Sequence, residues 1–323
     1  MTAQKVVPPG HPILVATLGP ASFDRVPDLV SAGAHTFRLN GSHMSAEDVE
    51  RTLRRVRDIT DTPVVIDLQG AKMRLGSFPP RTLRAGEPIT LTLDESEPSI
   101  PLPHAEIFRD ARPGDTLSCD DDRVHLRVTS VAPNRLVATS LSDGTLKPRK
   151  GVNVVEHPVH LEDLTASDVA QIEVAKTFEG VSFACSFMRD GREASWIRER
   201  APGAKVVGKV ERAEALEAIA SIASCVDAVW VCRGDLGAQI GLAAMARWVS
   251  AFRPDTLPVP TLMAGQVLEH LTHHADPTRS EVCHLHDLLQ RRYAGVVLSD
   301  ETAIGHDPVR AATLASDLLR TLA

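Results

Sequence analysis

Aromatic residues are scarce, 4% of the chain with a single tyrosine, so there is little to build a stacking platform for single-stranded nucleic acid. Positive charge is also in short supply. Thirty-five Lys and Arg face 42 Asp and Glu, a net charge of −7 with a pI near 6.0, which argues against a general nucleic-acid binder. No run approaches the ~20 apolar residues of a membrane helix. The opening segment MTAQKVVPPGHP lacks the apolar centre of a signal peptide. The expectation is a cytoplasmic protein with no nucleic-acid and no membrane partner. Cysteine is limited to positions 119, 185, 225, 232 and 283, with no C-x-x-C pair. Such an odd, scattered set suggests reduced thiols, and three lie in apolar runs (FACSF, SIASCV, VWVC) where Cys packs as a small core residue. Low-complexity segments are missing, as is any repeat longer than a strand–helix unit.

What is present suits a soluble globular protein: 43% hydrophobic and 24% charged residues over 323 positions. That length fits about two domains, or one barrel of ~250 residues with an insertion. Short apolar runs recur at 12–18, 34–39, 63–68, 179–186, 204–210, 226–232, 258–263 and 294–298. They read as strands buried on both faces of a parallel sheet. Amphipathic helices fit 23–32, 45–58, 165–178, 190–200, 213–224, 242–253, 266–274, 280–292 and 308–322. Ser45 with Asp48 three residues on has the form of a capping box. Eight strands alternating with helices predict an α/β fold, a TIM (β/α)₈ barrel.

One interval breaks the alternation. Residues 77–162 are rich in Pro and Gly and contain the alternating segments 89–94, 115–120, 124–131 and 135–141, separated by the turns RAGE, RPGD and APNR. A structureless loop of this length would be implausible, so the interval is read as a small all-β lid inserted after the third strand. The expected organisation is barrel over 1–76, inserted domain over 77–162 and barrel again over 163–323.

Polar residues cluster just after the strands, at the rim where active sites of such barrels lie. Strand two ends in Arg38-Leu39-Asn40-Gly41-Ser42-His43; strand three carries Asp67, then Gln69, Lys72 and Arg74; strand five carries Lys209 and Glu211; strand six leads into Arg233-Gly234-Asp235-Leu236-Gly237; Ser299-Asp300-Glu301-Thr302 follows strand eight. Any one of these could be a solvated loop charge, but five in register suggest one site. Glu211 and Asp235 are hard oxygen donors on neighbouring strand ends and suit Mg²⁺ or Mn²⁺. Lys209 beside them suits a developing enolate or a transferring phosphoryl group. Arg38 and Arg74 can grip phosphate or carboxylate in a fork. Backbone N–H groups around Gly234 could cup an anion, although RGDLG could also be an ordinary tight turn.

Ten segments in order then resemble the pyruvate kinase family: ATLGPAS (16–22), FRLNGSH (37–43), VVIDLQGAKMR (64–74), RKGVN (149–153), ACSFMR (184–189), GKVE (208–211), CRGDLG (232–237), AGQVLE (264–269), DPTRSE (276–281) and LSDETAIG (298–305). The resemblance implies phosphoryl transfer between phosphoenolpyruvate and ADP with a divalent metal, through an enolpyruvate intermediate. It assigns Arg38 to the phosphoryl group, and Lys209 to that group and the enolate oxygen. Glu211 and Asp235 would hold the metal, and the Arg233-Gly234-Asp235 backbone the substrate carboxylate. Asn40, Ser42 and Asp67 match the monovalent-cation site; Pro20, His43 and Lys150 match nucleotide-side positions, with Asn40 counted there as well; Arg74 matches an active-site arginine. Ser186, in ACSFMR, is read as structural or as lining the substrate pocket, since it lacks a G-x-S-x-G frame.

Departures from the family pattern are informative. The threonine whose hydroxyl helps protonate the enolpyruvate is Gly265 here, which removes the hydroxyl and leaves space. In DLQGAKMR the family's lysine is Gln69 and its glutamate is Lys72. Potassium-independent relatives also carry Lys at that second position, so K⁺ is not expected to be required. A lid turn reads Asp120-Asp121-Asp122 and the NLPG segment reads Asn153-Val154-Val155-Glu156. The chain stops after the eighth barrel helix, so the family's C-terminal regulatory domain is not expected. Monomer, dimer or a homo-oligomer assembled through barrel faces all fit. Two other functions stay open: a metal-dependent enolate enzyme on another enol or 2-oxo acid (aldolase, lyase, decarboxylase or kinase), and a non-catalytic binding protein. His270 and His274 have the i,i+4 spacing of helical zinc ligands but no H-E-x-x-H frame; with His273, His284 and His286 they are read as a solvated helix face. Trp196, Trp230 and Trp248 are read as core.

Overall fold

The computed structural model describes residues 11–94, 99–120, 123–157 and 159–323. The opening segment 1–10, read above for a signal peptide, and Asp121 and Asp122 of the lid turn lie outside them. The chain forms two compact units, 1–70 with 164–323, and 71–163. The second begins at Ala71 rather than 77, so Lys72 and Arg74 belong to the inserted unit and not to the barrel.

The first unit starts with β1 (Ile13–Leu18), α1 (Val26–Ser31), β2 (Thr36–Asn40), α2 (Ala46–Ile59) and β3 (Val64–Leu68). Ser45 caps α2 in a full capping box with Asp48. Gly70 follows at φ +61; a Cβ there would meet the Ser186 backbone N at 2.6 Å and O at 2.5 Å, so only glycine lets the chain leave the barrel this close to its neighbour.

The second unit contains β4 (Arg81–Leu83), β5 (Pro88–Thr92), β6 (Ile100–Pro101), α3 (Ala105–Asp110), β7 (Thr116–Cys119), β8 (Val124–Ala132), β9 (Arg135–Ser140), β10 (Gly144–Leu146) and β11 (Val152–Val154). Six strands form one sheet in the order β11-β7-β8-β9-β5-β6, and β10 pairs with β4. The unit has its own core, including Leu91, Phe108, Leu126 and Leu136. It is not all-β: α3 buries Ile107 and Phe108, a helical pair too short to show a period in sequence.

The first unit resumes with α4 (Ala166–Ala175), β12 (Val181–Cys185), α5 (Glu193–Arg200), β13 (Val206–Val210), α6 (Ala213–Glu217), α7 (Ile219–Cys225), β14 (Ala228–Cys232), α8 (Arg233–Ile240), α9 (Leu242–Ala251), β15 (Thr261–Ala264), α10 (Arg279–Gln290), β16 (Gly295–Leu298), α11 (Asp300–Ala303) and α12 (Pro308–Leu322). Eight parallel strands close in the order β1-β16-β15-β14-β13-β12-β3-β2, so the unit is a TIM barrel. Val15, Val65, Val207, Trp230, Leu262 and Val297 fill the barrel interior as a packed core. A second layer, including Leu14, Phe37, Ile66, Phe183 and Val231, faces the helices. That two-sided burial is why the strands read as continuous apolar runs.

Three expectations on the helices need correction. The span 266–274 is not an α-helix; only Glu269–Thr272 forms a 3₁₀ turn. Gln266 sits at φ +55, and the His270 N–H that a helix would pair with the Gln266 carbonyl goes to Glu281, while that carbonyl accepts from Arg233. The span 213–224 breaks at Ala218 into α6 and α7. RGDLG is not a loop turn but the first residues of α8.

Candidate active site

Neighbouring strands bring the rim residues together. Arg38 on β2 is in register with Val65 of β3, two residues before the pair Asn40–Asp67. Asp67 is 2% exposed and is the hub. Arg38 donates Nε to Asp67 Oδ2 at 2.8 Å, with Nη2 at 2.6 Å from the same oxygen, and Nη1 to Thr17 Oγ1 at 3.1 Å. Lys209 Nζ, from β13, lies 2.9 and 3.0 Å from the two Asp67 oxygens, 2.8 Å from Ser186 Oγ and 3.0 Å from Glu211 Oε1. The Ser186 hydroxyl accepts from Lys209 and donates to the Leu68 carbonyl at 2.8 Å. Ser186 thus touches the lysine directly and is no free nucleophile.

Burial and pairing set the charges. Burial alone would push the Asp67 carboxyl up, but Lys209 and Arg38 outweigh it and hold it below the usual carboxylate range. Burial likewise disfavours a charged Lys209, yet Asp67 and Glu211 more than offset this and keep the ammonium protonated. Arg38 is held charged against burial mainly by Asp67. Burial, then Glu211, drives the Cys232 thiol well above its ordinary value, so this cysteine is inert as a nucleophile.

Glu211 is 1% exposed; its Oε2 accepts the Phe187 N–H at 2.8 Å. Asp235 lies in the first turn of α8, directly after β14. No group of three or more His, Cys, Asp or Glu side chains among the described residues is arranged to hold a metal. Two carboxylates are nevertheless what Mg²⁺ uses when substrate and water supply the remaining oxygens. Lys209 pairs with Asp67 and Glu211, Arg38 pairs with Asp67, and the charges of Glu211 and Asp235 both act on the Cys232 thiol. The donor chemistry therefore fits a divalent ion at Glu211 and Asp235.

The other expected residues fall as follows. Asn40 is in register with Asp67, and Ser42 lies in the 3₁₀ turn Gly41–His43 that follows β2. Pro20 and His43 are exposed in the loops after β1 and β2. Gly265 follows β15 at φ +79, and a Cβ there would meet only the backbone N of Gly234 at 3.5 Å and of Arg233 at 3.7 Å. It thus overlooks the N-terminus of α8. In the inserted unit, Lys72 is buried against Gly151, Arg74 Nη1 donates to the Arg149 carbonyl at 3.0 Å, and Lys150 pairs with Asp120 at 2.9 Å. His270 and His274 do not share a helix face; their rings stack at 3.8 Å between centroids, and His270 Nδ1 meets the Asp276 carbonyl. Of the tryptophans only Trp230 is fully core; Trp196 and Trp248 are half-buried. All five cysteines are free thiols.

Asp168, which sequence reasoning did not single out, and Glu301, named there only within the segment after strand eight, both shape this rim. Asp168, the third residue of α4, is 1% exposed and accepts from the Gln69 N–H at 2.8 Å, the Gly70 N–H at 3.2 Å and the Thr165 hydroxyl at 2.8 Å. Glu301 accepts from Ser299 at 2.7 Å and Leu268 at 3.1 Å, joining the ends of β15 and β16. T-x-x-D before a helix was the available signal for the first.

Comparison with known proteins agrees with this fold. The family model for the pyruvate kinase barrel domain matches residues 11–312. A pyruvate kinase of Agrobacterium vitis is 34% identical over 325 residues, covering 95% of this chain and 67% of the relative. A pyruvate kinase of Corynebacterium efficiens is 31% identical, covering 95% and 69%. Among solved structures, a pyruvate kinase from Cryptosporidium parvum superposes with a TM-score of 0.81 at 24% identity, over 97% of this chain and 69% of that one, a likeness of fold. On its sequence, its barrel and the span of the match, this chain belongs to the pyruvate kinase family.

Proposed function

We propose that the protein transfers a phosphoryl group between phosphoenolpyruvate and ADP, with Mg²⁺ or Mn²⁺ held by Glu211 and Asp235. The observation that carries this reading is the Lys209 ammonium, fixed by Asp67, Glu211 and Ser186 within one residue's reach of Arg38. A buried lysine kept protonated by two carboxylates is no general base; it is a fixed positive charge for an oxyanion. The N-terminal N–H groups of α8 have no intrahelical partners and suit the substrate carboxylate. Arg38, already planar against Asp67, presents its outer edge to the phosphoryl group. As the P–O bond to the enol oxygen breaks and the phosphoryl group passes to a terminal oxygen of ADP, an enolate is left whose charge Lys209 stabilises, and C3 then takes a proton from water, since Gly265 brings no hydroxyl. The divalent ion, when bound, would supply Lewis-acid polarisation of substrate oxygens.

The nucleotide-side parts for Pro20, His43 and Lys150, the part for Arg74, and potassium independence through Lys72 are proposed on the family resemblance. The missing side chain at Gly265, beside the Arg233 and Gly234 backbone nitrogens, favours one alternative, an enolate enzyme acting on a bulkier 2-oxo acid. Both readings are tested by assaying ATP formation from phosphoenolpyruvate, ADP and Mg²⁺ beside deuterium exchange into pyruvate C3. ATP formation that drops about 10²–10³-fold in Lys209→Met is the expected result. Exchange without any ATP would replace phosphoryl transfer by the second reading.

A further inference from the structure

Arg233, the first residue of α8, carries a guanidinium that forms no ion pair with any carboxylate among the described residues. Its Nε and Nη2 donate to the Gly265 carbonyl at 3.0 and 2.7 Å, and Nη2 also donates to the Gln266 carbonyl at 2.6 Å. The remaining arm, Nη1, lies 2.7 Å from His284 Nε2, on α10. Arginine has no acceptor atom, so this short contact requires a lone pair on Nε2 and therefore a neutral ring with its proton on Nδ1. The three acceptors together tie the start of α8 to the segment after β15 and to α10.

We propose that neutral His284 is a positioning residue: its Nε2 holds Arg233 against the Gly265 and Gln266 carbonyls, and so fixes the α8 N-terminus that receives the substrate carboxylate. The role rests on the carboxylate being bound there, as proposed above. Protonating the ring would set two donors and two like charges face to face at 2.7 Å, and the prop would be lost. The groups acting on the ring are few. Arg233 and Arg291 oppose its protonation and Asp287 favours it, while burial is the largest influence and also opposes it. The site is thereby acid-sensitive at a residue that never touches substrate.

The test is calorimetric titration of oxalate in the presence of Mn²⁺ at several pH values from 7.5 to 4.5. Wild type, His284→Gln and His284→Leu would be compared, and the His284 ring followed by NMR in wild type. Oxalate affinity of wild type should fall roughly tenfold or more as the ring titrates, the loss expected of a hydrogen bond to a charged group. His284→Gln, whose amide oxygen still accepts, should lack that step, and His284→Leu should bind weakly at every pH. Parallel pH profiles for wild type and His284→Gln, or a ring that titrates without change in affinity, would overturn the proposal. Oxalate binding with the expected profile but no ATP formation would sink phosphoryl transfer and leave the prop standing. Wild type that fails to bind oxalate at pH 7.5 would remove the carboxylate site and the prop with it.

Discussion

At the residue scale the chemistry concentrates on one buried ion cluster, Arg38–Asp67–Lys209–Glu211. Buried charge is tolerable only when paired, and breaking such a set leaves an uncompensated charge. Asp67→Asn should therefore destabilise by about 3–5 kcal/mol, read from urea unfolding; an unchanged midpoint would show the cluster to be dispensable for folding. Gly265 calls for a different variant than its sequence suggests. Restoring threonine there places a β-branched residue at φ +79, a strain of about 1–3 kcal/mol. Crowding is not the obstacle, because a Cβ would sit at ordinary contact distance from the Arg233 and Gly234 nitrogens. Gly265→Thr should thus lower the melting temperature before it tells anything about proton transfer; an unshifted melting curve would contradict the left-handed backbone. Lys72 carries a third test. ATP formation in tetramethylammonium buffer should be unaffected by KCl, and a large stimulation would rule out an ammonium substitute for potassium.

Among the elements, Asp168 carries a prediction about pH. Burial pushes its carboxyl from 3.8 up to about 6, against four hydrogen bonds that favour the charged form. A raised carboxyl favours folding while protonated in the native state, and that contribution fades as pH rises through about 6. The difference between the two pKa values corresponds to roughly 3 kcal/mol. Relative to Asp168→Asn, which cannot ionise, wild type should lose stability between pH 4 and 6.5; a constant difference across that range would show the shift to be absent.

The barrel strands were legible because burial on both faces writes continuous apolar runs, and β13 and β14 appear in sequence within two residues of their true bounds. Helices were legible where periodicity and a capping box coincide, as in α2 and α10. The failures differ in cause. The 266–274 stretch has a helical pattern, but Glu281 takes the His270 N–H and Arg233 the Gln266 carbonyl that a helix would pair. RGDLG has a turn-like composition, but its glycines sit in a helix that β14 launches directly. The rim residues were readable by position after each strand. The Arg233–His284 contact was not, since it joins residues 51 positions apart with no shared motif.

For the whole molecule, the division into a barrel with two hydrophobic layers and an inserted unit with a separate core has a consequence for folding. One carboxylate, Asp168, hydrogen-bonds both Gly70, where the chain leaves the barrel, and Thr165, where it has just returned. Those two chain ends are therefore close enough for a short linker. Replacing 71–163 by a few Gly and Ser residues should leave a barrel that unfolds cooperatively with its helical circular dichroism intact. An aggregated or molten product would mean that the barrel depends on the insert for its fold.

The proposed chemistry rests on a divalent ion at two acids beside one fixed ammonium group. It is tested most directly by anomalous diffraction from crystals grown with Mn²⁺ and oxalate. The expected result is a single strong peak bonded to Glu211 and Asp235, with oxalate completing its shell and Lys209 in contact with an oxalate oxygen. A peak elsewhere, or carboxylates that stay with their present partners while oxalate binds without the ion, would contradict it.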